Sequence, residues 1–417
     1  MGKLAINGGK KVIEEDNFWV KWPKIEDIDK KSVLKVLEKG NLCRLYKGSW
    51  SEIFEKKWAK FTDTKYCIAT SNGTVSLQLA LRTLGVKTGD KVITTPVTFI
   101  ATASSISELG AIPVFVDIDF NTGQISSEAI EENIDENTKG VIGVHYGGYP
   151  FDIDKVRKIC KKHKLFLIED AAHSHGTKWK GKHVGGFGDF GSFSFQESKS
   201  LQSGEGGAVI TNSKKLYQQA LLIHNIGRII GKPGYYHYIL SSNYRLPELC
   251  AGLLLSQLTK LKKQTKIKEK NADWLKENLK QLGIEPLPYD KRITQRGYYF
   301  IVFKFNKEFF GGISRDIFLK AINAEGIPFG KGYGYPLYKN PAFTKKSLSK
   351  IYPENILKIL PNYENLYLEN SEKFCEIQLT LSHRVLLSEK EKLQKIIEAV
   401  AKISENIDEL VISYKKI

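Results

Sequence analysis

The sequence predicts an α/β protein with a mostly parallel sheet in a large domain and a smaller α+β domain after it. Three observations carry this. Short apolar runs alternate with helical patterns from about residue 65 to 212, the pattern of a parallel sheet covered on both faces. A long helical passage then runs from Leu246 to Leu282 and stops at Gly283. Beyond it, Tyr299–Phe305 is rich in aromatic and β-branched residues, a strand signal in a new context.

Taken in order, the first 20 residues have no clear period and are expected to form an N-terminal arm. The expected strands of the large domain are Tyr66–Thr70, Lys91–Thr95, Ile112–Asp117, Gly140–His145, Leu165–Glu169, Ser192–Gln196 and Ala208–Thr211. Between the first two, Val75 and Leu79, and Leu77, Leu81 and Leu84, recur at helical steps until Gly85 ends the run. The passage 246–282 reads as one long helix or a broken one. Helical patterns follow the Tyr299–Phe305 strand to the C-terminus. The expected division is an arm over 1–20, a large domain over 21–284 that includes the long helix, and a small domain over 285–417.

Composition narrows the function classes. The 417 residues are 41% hydrophobic and 26% charged, ordinary values for a soluble enzyme. No stretch reaches the roughly 18 apolar residues of a membrane span, and Met1–Ile6 lacks a signal core. A cytoplasmic chain is expected, and its scattered cysteines, Cys43, Cys67, Cys160, Cys250 and Cys375, read as reduced thiols. The net charge of +17 raises nucleic acid as a partner. Nucleic-acid footprints cluster, however, and here the excess is spread along ordinary helices such as Lys262–Lys268. Solvated lysine faces, or attraction of an anionic substrate, explain it without nucleic acid.

Four motifs carry the chemistry. Ser71-Asn72-Gly73-Thr74 follows a strand and opens a helix, where free amides and a glycine make an anion site; a plain turn capped by Thr74 is the alternative. The strand Leu165–Glu169 runs into Asp170 and then His173 and His175. Ligands collect at the carboxyl ends of such strands, so one of the two carboxylates should face a ligand and could hold a heterocyclic nitrogen protonated. The two histidines raise a metal, but spacing i, i+2 without further donors is not a usual ligand pattern, and no metal is expected.

The third motif is Gly185–Gly207. Its G-x-G-x-x-G at 186–191 precedes a strand instead of opening a helix, so dinucleotide binding is rejected. More informative is Lys199, alone in a polar, glycine-bounded loop after an aromatic strand, where a desolvated amine could form a Schiff base. Ser194, five residues earlier, could reach a phosphate. The fourth motif, Asn243-Tyr-Arg245-Leu-Pro-Glu248, places amide and guanidinium groups at the start of the long helix, either for an anion or for capping.

In order and spacing, these motifs together resemble the DegT/StrS family of sugar aminotransferases, over nearly the whole chain. The resemblance implies a type I (aspartate aminotransferase) fold and pyridoxal 5'-phosphate as cofactor, cycling through pyridoxamine 5'-phosphate. It implies that Lys199 is the Schiff-base lysine and that Asp170 pairs with the pyridine nitrogen. Gly73, Thr74 and Ser194 then hold the phosphate, with Asn243 added across the interface of a homodimer with shared active sites. Phe99 matches the ring that stacks on the cofactor, and His173 a residue near its 3-hydroxyl.

Some relatives carry histidine in place of the lysine and act as dehydratases; Lys199 argues for transamination. The wording Phe193–Lys199 and Tyr298–Phe303 is most similar to the branch of cyclitol aminotransferases and aminohydroxybenzoate synthases. The expected reaction converts a keto-sugar, free or nucleotide-linked, or a keto-cyclitol to its amine, with glutamate or glutamine as donor, in amino-sugar, secondary-metabolite or surface-polysaccharide synthesis. Gly332–Tyr338 departs from the family. It is expected to border the acceptor pocket through Tyr333 and Tyr335, with Tyr235, Tyr236 and Tyr238 as further polar contacts. A dehydrating or aromatising lyase on the same scaffold, and a non-catalytic cofactor-binding regulator, are the alternatives.

Overall fold

The structure, a computed structural model, describes residues 3–414; Met1 and Gly2 of the expected arm, and 415–417 of the expected small domain, lie outside the described residues. The large unit is built on seven strands: β1 (Tyr66–Thr70), β2 (Lys91–Thr94), β3 (Ile112–Phe115), β4 (Thr138–Val144), β5 (Phe166–Asp170), β6 (Phe190–Ser194) and β7 (Gly207–Thr211). Their order across the sheet is β1-β7-β6-β5-β4-β2-β3. Only β7 runs against its neighbours. The other six therefore end at one edge, where α/β sheets collect ligands.

Helices cover both faces. On one face α1 (Trp50–Phe61) carries Phe54 and Trp58 into a core with Phe193, Phe195 and Trp179. On the other face α2 (Gly73–Thr83) packs Leu77, Leu79 and Leu81 against Ile68, Ile168 and Val209. Six of the seven expected strands are shifted at an end. The third stops at Phe115 because the Asp117 carboxylate turns away to accept the amides of Ile118, Asn370 and Ser371. The sixth starts two residues early and stops at Ser194, since Lys199 N–H bonds Gln196 C=O and winds the chain into a loop.

The long helix α3 (Glu248–Lys280) is unbroken over 33 residues, or about 50 Å at 1.5 Å per residue. Leu254 and Leu261 lie in the large core, and Ala272, Leu275 and Leu279 in the small one. One helix thus contributes to both. The small core holds a three-stranded sheet, β8 (Ile284–Pro286), β9 (Phe300–Phe305) and β10 (Gln378–Ser382), with β9 central and antiparallel to both. The helical pattern expected after β9 is interrupted by β10 and by short single turns between Leu337 and Asn365. Leu4 and Ile13 are buried in this same core. The Glu325 carboxylate accepts the amides of Ala5 and Val12 and pairs with Lys402, so the N-terminal stretch is bound to the C-terminal unit.

Candidate active site

The shared edge of β1, β2, β5 and β6 opens onto a cavity of about 690 Å³. Gly73, Thr74, Phe99, Asp170, His173, Ser194, Lys199 and Tyr333 all line it, so eight of the ten residues singled out from sequence meet in one place.

At the end of β5, strand alternation assigns different tasks to two adjacent carboxylates. Glu169 is fully buried on one face. Its oxygens take the His145 ring at 3.0 Å and the amides of Gly185, Phe187 and Gly188 at 2.8, 2.6 and 2.7 Å. Burial alone would raise its pKa, but the His145 ring and those amides outweigh it and hold the carboxyl below its usual range. The glycine run at 185–191 is thus a cradle for a structural carboxylate. Asp170 turns to the other face and lines the cavity, accepting from Thr102 Oγ1 at 2.9 Å and Ala172 N–H at 3.2 Å. Burial pushes its pKa up, despite these bonds and the charge of Lys199.

Lys199 sits in the loop between β6 and β7. Bonds from Phe195 N–H to Gly206 C=O and from Glu197 N–H to Gly204 C=O hold the loop closed, and Gly204 supplies the left-handed turn at φ 82°. The Lys199 amine lies 4.1 Å over the ring of Tyr299. Burial lowers its pKa to about 8, against the opposing pull of Asp170. A lysine so desolvated has a usable fraction of free amine near neutral pH.

The anion end is built by α2. Asn72 caps it, its side chain accepting from Val75 N–H, so the alternative reading with Thr74 as cap does not hold. The amides of Gly73 and Thr74 belong to the first turn and have no partner inside the helix. A Cβ on Gly73 would stand 2.7 Å from Ser194 Cβ. Glycine is required here for close approach, so that the helix start and the Ser194 hydroxyl face one point.

His173 stacks on Tyr299, ring centres 4.4 Å apart, with Nε2 at 3.4 Å from Tyr333 Oη and Nδ1 unpartnered. Burial, then the charge of Lys199, drive its pKa well down, so the ring is neutral. His175 instead packs among Trp58, Phe193 and Phe195. The two histidines thus serve different places. Phe99 is 55% exposed at the cavity.

Two expected residues are elsewhere. Asn243 lies outside the cavity, exposed, accepting from Arg245 N–H, while the Arg245 guanidinium is taken by Asn225 Oδ1 at 2.7 Å. Neither opens the long helix, whose first residue is Glu248. Tyr335 is exposed and turned toward Asn340. Gly334 between them, at φ 72°, turns the chain so that Tyr335 leaves the side of Tyr333, which does line the cavity. Tyr235, Tyr236 and Tyr238 are exposed and away from it. Sequence reasoning missed Thr102 and Tyr299. The Thr98–Thr102 pair, bonded at 2.9 Å, was visible only as an i, i+4 repeat, and Tyr299 only as part of a strand.

These residues fit pyridoxal phosphate. The helix start and Ser194 suit a phosphate, buried Asp170 suits a protonated ring nitrogen, and the desolvated amine of Lys199 suits an aldehyde. His173 keeps a buried ring nitrogen without a partner on the same wall.

The profile of the DegT/DnrJ/EryC1/StrS aminotransferase family matches residues 23–401. A putative L-glutamine:3-amino-2,3-dideoxy-scyllo-inosose aminotransferase of Micromonospora echinospora is 34% identical over 417 residues, 98% of each chain. A GDP-perosamine synthase of Vibrio cholerae is 34% identical over 320 residues, 76% of this chain and 86% of its own. The crystal structure of a 3-amino-5-hydroxybenzoic acid synthase superposes with a TM-score of 0.82 at 28% identity, covering 95% of this chain and 100% of that one.

Proposed function

The chain belongs to the DegT/DnrJ/EryC1/StrS family and is a pyridoxal-phosphate-dependent aminotransferase, and from that premise we propose that it aminates a keto-cyclitol or a keto-sugar with glutamine or glutamate as donor. The observation that carries the reading is the convergence of Lys199, Asp170 and the Gly73–Ser194 cradle on one cavity. Substrate class is supported by the relatives: one is named for a glutamine-dependent cyclitol amination, another for synthesis of a sugar-nucleotide amine.

When bound, the cofactor supplies an electron sink for the pair left on the donor's α-carbon. The protein does the rest. Gly73, Thr74 and Ser194 hold the phosphate, and Phe99 covers a ring face. Asp170, kept in place by Thr102, would hold a proton on the ring nitrogen; two unit charges about 4 Å apart at an effective dielectric near 20 attract by roughly 4 kcal/mol before desolvation. Lys199 Nζ is placed to take the α-proton of the donor as base and to give it up again as acid. Tyr299 and neutral His173 wall the reacting side, and Tyr333 offers a hydroxyl to the acceptor.

Two subunits are proposed to complete each site, with Asn243 contributed to the partner's cavity. Support comes from the exposed apolar segment before it, where Leu240 is 95% exposed. No helix among the described residues is long and apolar enough to cross a membrane, which suits a cytoplasmic enzyme; metal and nucleic acid have no role in this reading.

A half-reaction screen tests it. The enzyme is loaded with amine from glutamine or glutamate, and ketones are tried for return of the starting spectrum. Response to a keto-cyclitol or keto-sugar is expected; response to none, with slow turnover of simple 2-oxo acids alone, would remove the proposal. The likeness to 3-amino-5-hydroxybenzoic acid synthase favours one second reading, loss of water from the acceptor with aromatisation, and product analysis in the same screen separates the two.

A further inference from the structure

We infer that Lys268 is a positioning residue for Lys199, tying the loop that carries the reacting amine to the turn that carries Tyr299. The inference rests on Lys199 being that amine. Lys268 lies on α3, is 1% exposed and lines none of the cavity, so it touches neither cofactor nor substrate.

Its amine donates to Ser200 Oγ at 2.9 Å, to Tyr298 C=O at 2.8 Å and to Gly297 C=O. Three acceptors match the three donors of an ammonium. The Ser200 hydroxyl in turn donates to Tyr298 C=O at 2.9 Å, which closes a small ring of bonds between two segments about a hundred residues apart in sequence. No carboxylate neutralises the charge: its acceptors are a hydroxyl and two carbonyls, and burial pulls the pKa down to about 7. The neighbouring buried positions on this helix, Leu261, Thr265 and Ala272, show that an uncharged residue would serve packing alone. A buried cation without a counter-charge is costly, so its presence needs a local reason.

The reason is the next residue. Lys199 stands between two anchored serines. Ser200 is held by Lys268. On the other side the Ser198 carbonyl accepts from His383 Nε2 at 2.9 Å, and its hydroxyl pairs with Tyr299 Oη at 2.8 Å. The turn that receives Lys268 is itself constrained: Tyr298 has φ 38°, and a Cβ at Gly297 would collide with the His175 carbonyl. Lys268 therefore fixes the spacing between the Lys199 backbone and the Tyr299 ring under its amine.

The test compares full-length wild type with Lys268→Met, which keeps length without donors, and Lys268→Gln, which keeps two donors. Three quantities are measured: pH-dependent acylation of Lys199 in the cofactor-free chain, the donor half-reaction at saturating glutamine or glutamate, and the donor KM. For Lys268→Met the Lys199 acylation midpoint is expected to move up from about 8 toward that of a hydrated lysine. The saturated rate should fall about 10- to 100-fold with KM changed less than about threefold, since a shift of the reacting group costs rate more than binding. Lys268→Gln should recover part of both effects.

Unchanged midpoint and unchanged rate, with only a changed unfolding temperature, would overturn the inference and leave Lys268 a packing residue. If Lys268→Met does not fold, Ser200→Ala decides: a slower saturated rate at unchanged KM supports the tie, and a wild-type rate refutes it. Borohydride labelling in wild type keeps the two readings apart, because a label away from Lys199 removes the premise and not the tie.

Discussion

The amine of Lys199 lies 4.1 Å from the centre of the Tyr299 ring, and the same ring stacks on His173 with centres 4.4 Å apart. One aromatic residue just before β9 thus touches two groups carried on loops at the ligand edge of the large sheet. The ring excludes water from the amine and attracts its charged form, a contact worth about 0.5–2 kcal/mol.

Tyr299→Leu should slow the donor half-reaction about tenfold, the kinetic equivalent of roughly 1.4 kcal/mol. Tyr299→Phe keeps the ring and loses only the bond to Ser198, so a loss under about threefold is expected. Single-turnover absorbance measurements check both.

Asp170 and Glu169 should separate function from stability. Asp170→Asn is expected to reduce the half-reaction by about a thousandfold, the equivalent of the roughly 4 kcal/mol pairing, with little change in unfolding temperature. Glu169→Gln should leave the chemistry intact once folded but cost about 3–5 kcal/mol of stability, because it breaks a buried charge from its His145 and amide partners. Denaturant titration and single-turnover kinetics on both variants give the comparison.

Gly73→Ala tests the phosphate cradle. Its backbone is ordinary helix, but the added methyl meets Ser194 Cβ at 2.7 Å and must push the helix start away. Cofactor affinity should weaken at least about tenfold, or roughly 1.4 kcal/mol, while stability without cofactor changes by less than about 1 kcal/mol. Equilibrium dialysis against pyridoxal phosphate measures this.

The depressed pKa of Lys199 sets a pH dependence. The neutral amine is the nucleophile, so attachment of pyridoxal phosphate to the cofactor-free protein should accelerate as pH rises through about 8 and then level off. An ordinary lysine would still be gaining rate toward about 10.4. Asp170 raises the Lys199 value, so Asp170→Asn should move the midpoint down. The same sign applies to stability. A lysine whose pKa falls on folding carries its full penalty below the folded value, relieved as pH rises toward the unfolded one. For Lys268 the window runs from about 7 to about 10.4, so the stability of Lys268→Met relative to wild type should be greatest below this window and decline through it.

Much of this arrangement was legible because it is local. Strand ends, the glycine-bounded loop of Lys199 and the Ser71–Thr74 turn are read from neighbours in sequence, and the sheet rule carries them to one edge. What sequence could not supply were side-chain directions and distant pairings. On the strand pattern alone Asp170 and Glu169 looked equivalent, and only the family resemblance chose Asp170; alternation along β5 puts it in the cavity and Glu169 against Gly185–Gly188. Lys268 read as one lysine among many on a basic helix, since its acceptors lie at Ser200, Gly297 and Tyr298. Tyr335 was paired with Tyr333 by composition, and the turn sends them opposite ways. Strand β10 was hidden among helical patterns because it is only five residues long and is completed by pairing with β9.

The most direct test of the site is borohydride reduction of the protein loaded with pyridoxal phosphate, followed by peptide mapping. The expected result is one stable pyridoxyl group, on Lys199, and its loss in Lys199→Ala. A pyridoxyl group on another lysine, or none on a protein that binds the cofactor tightly, would contradict the assignment.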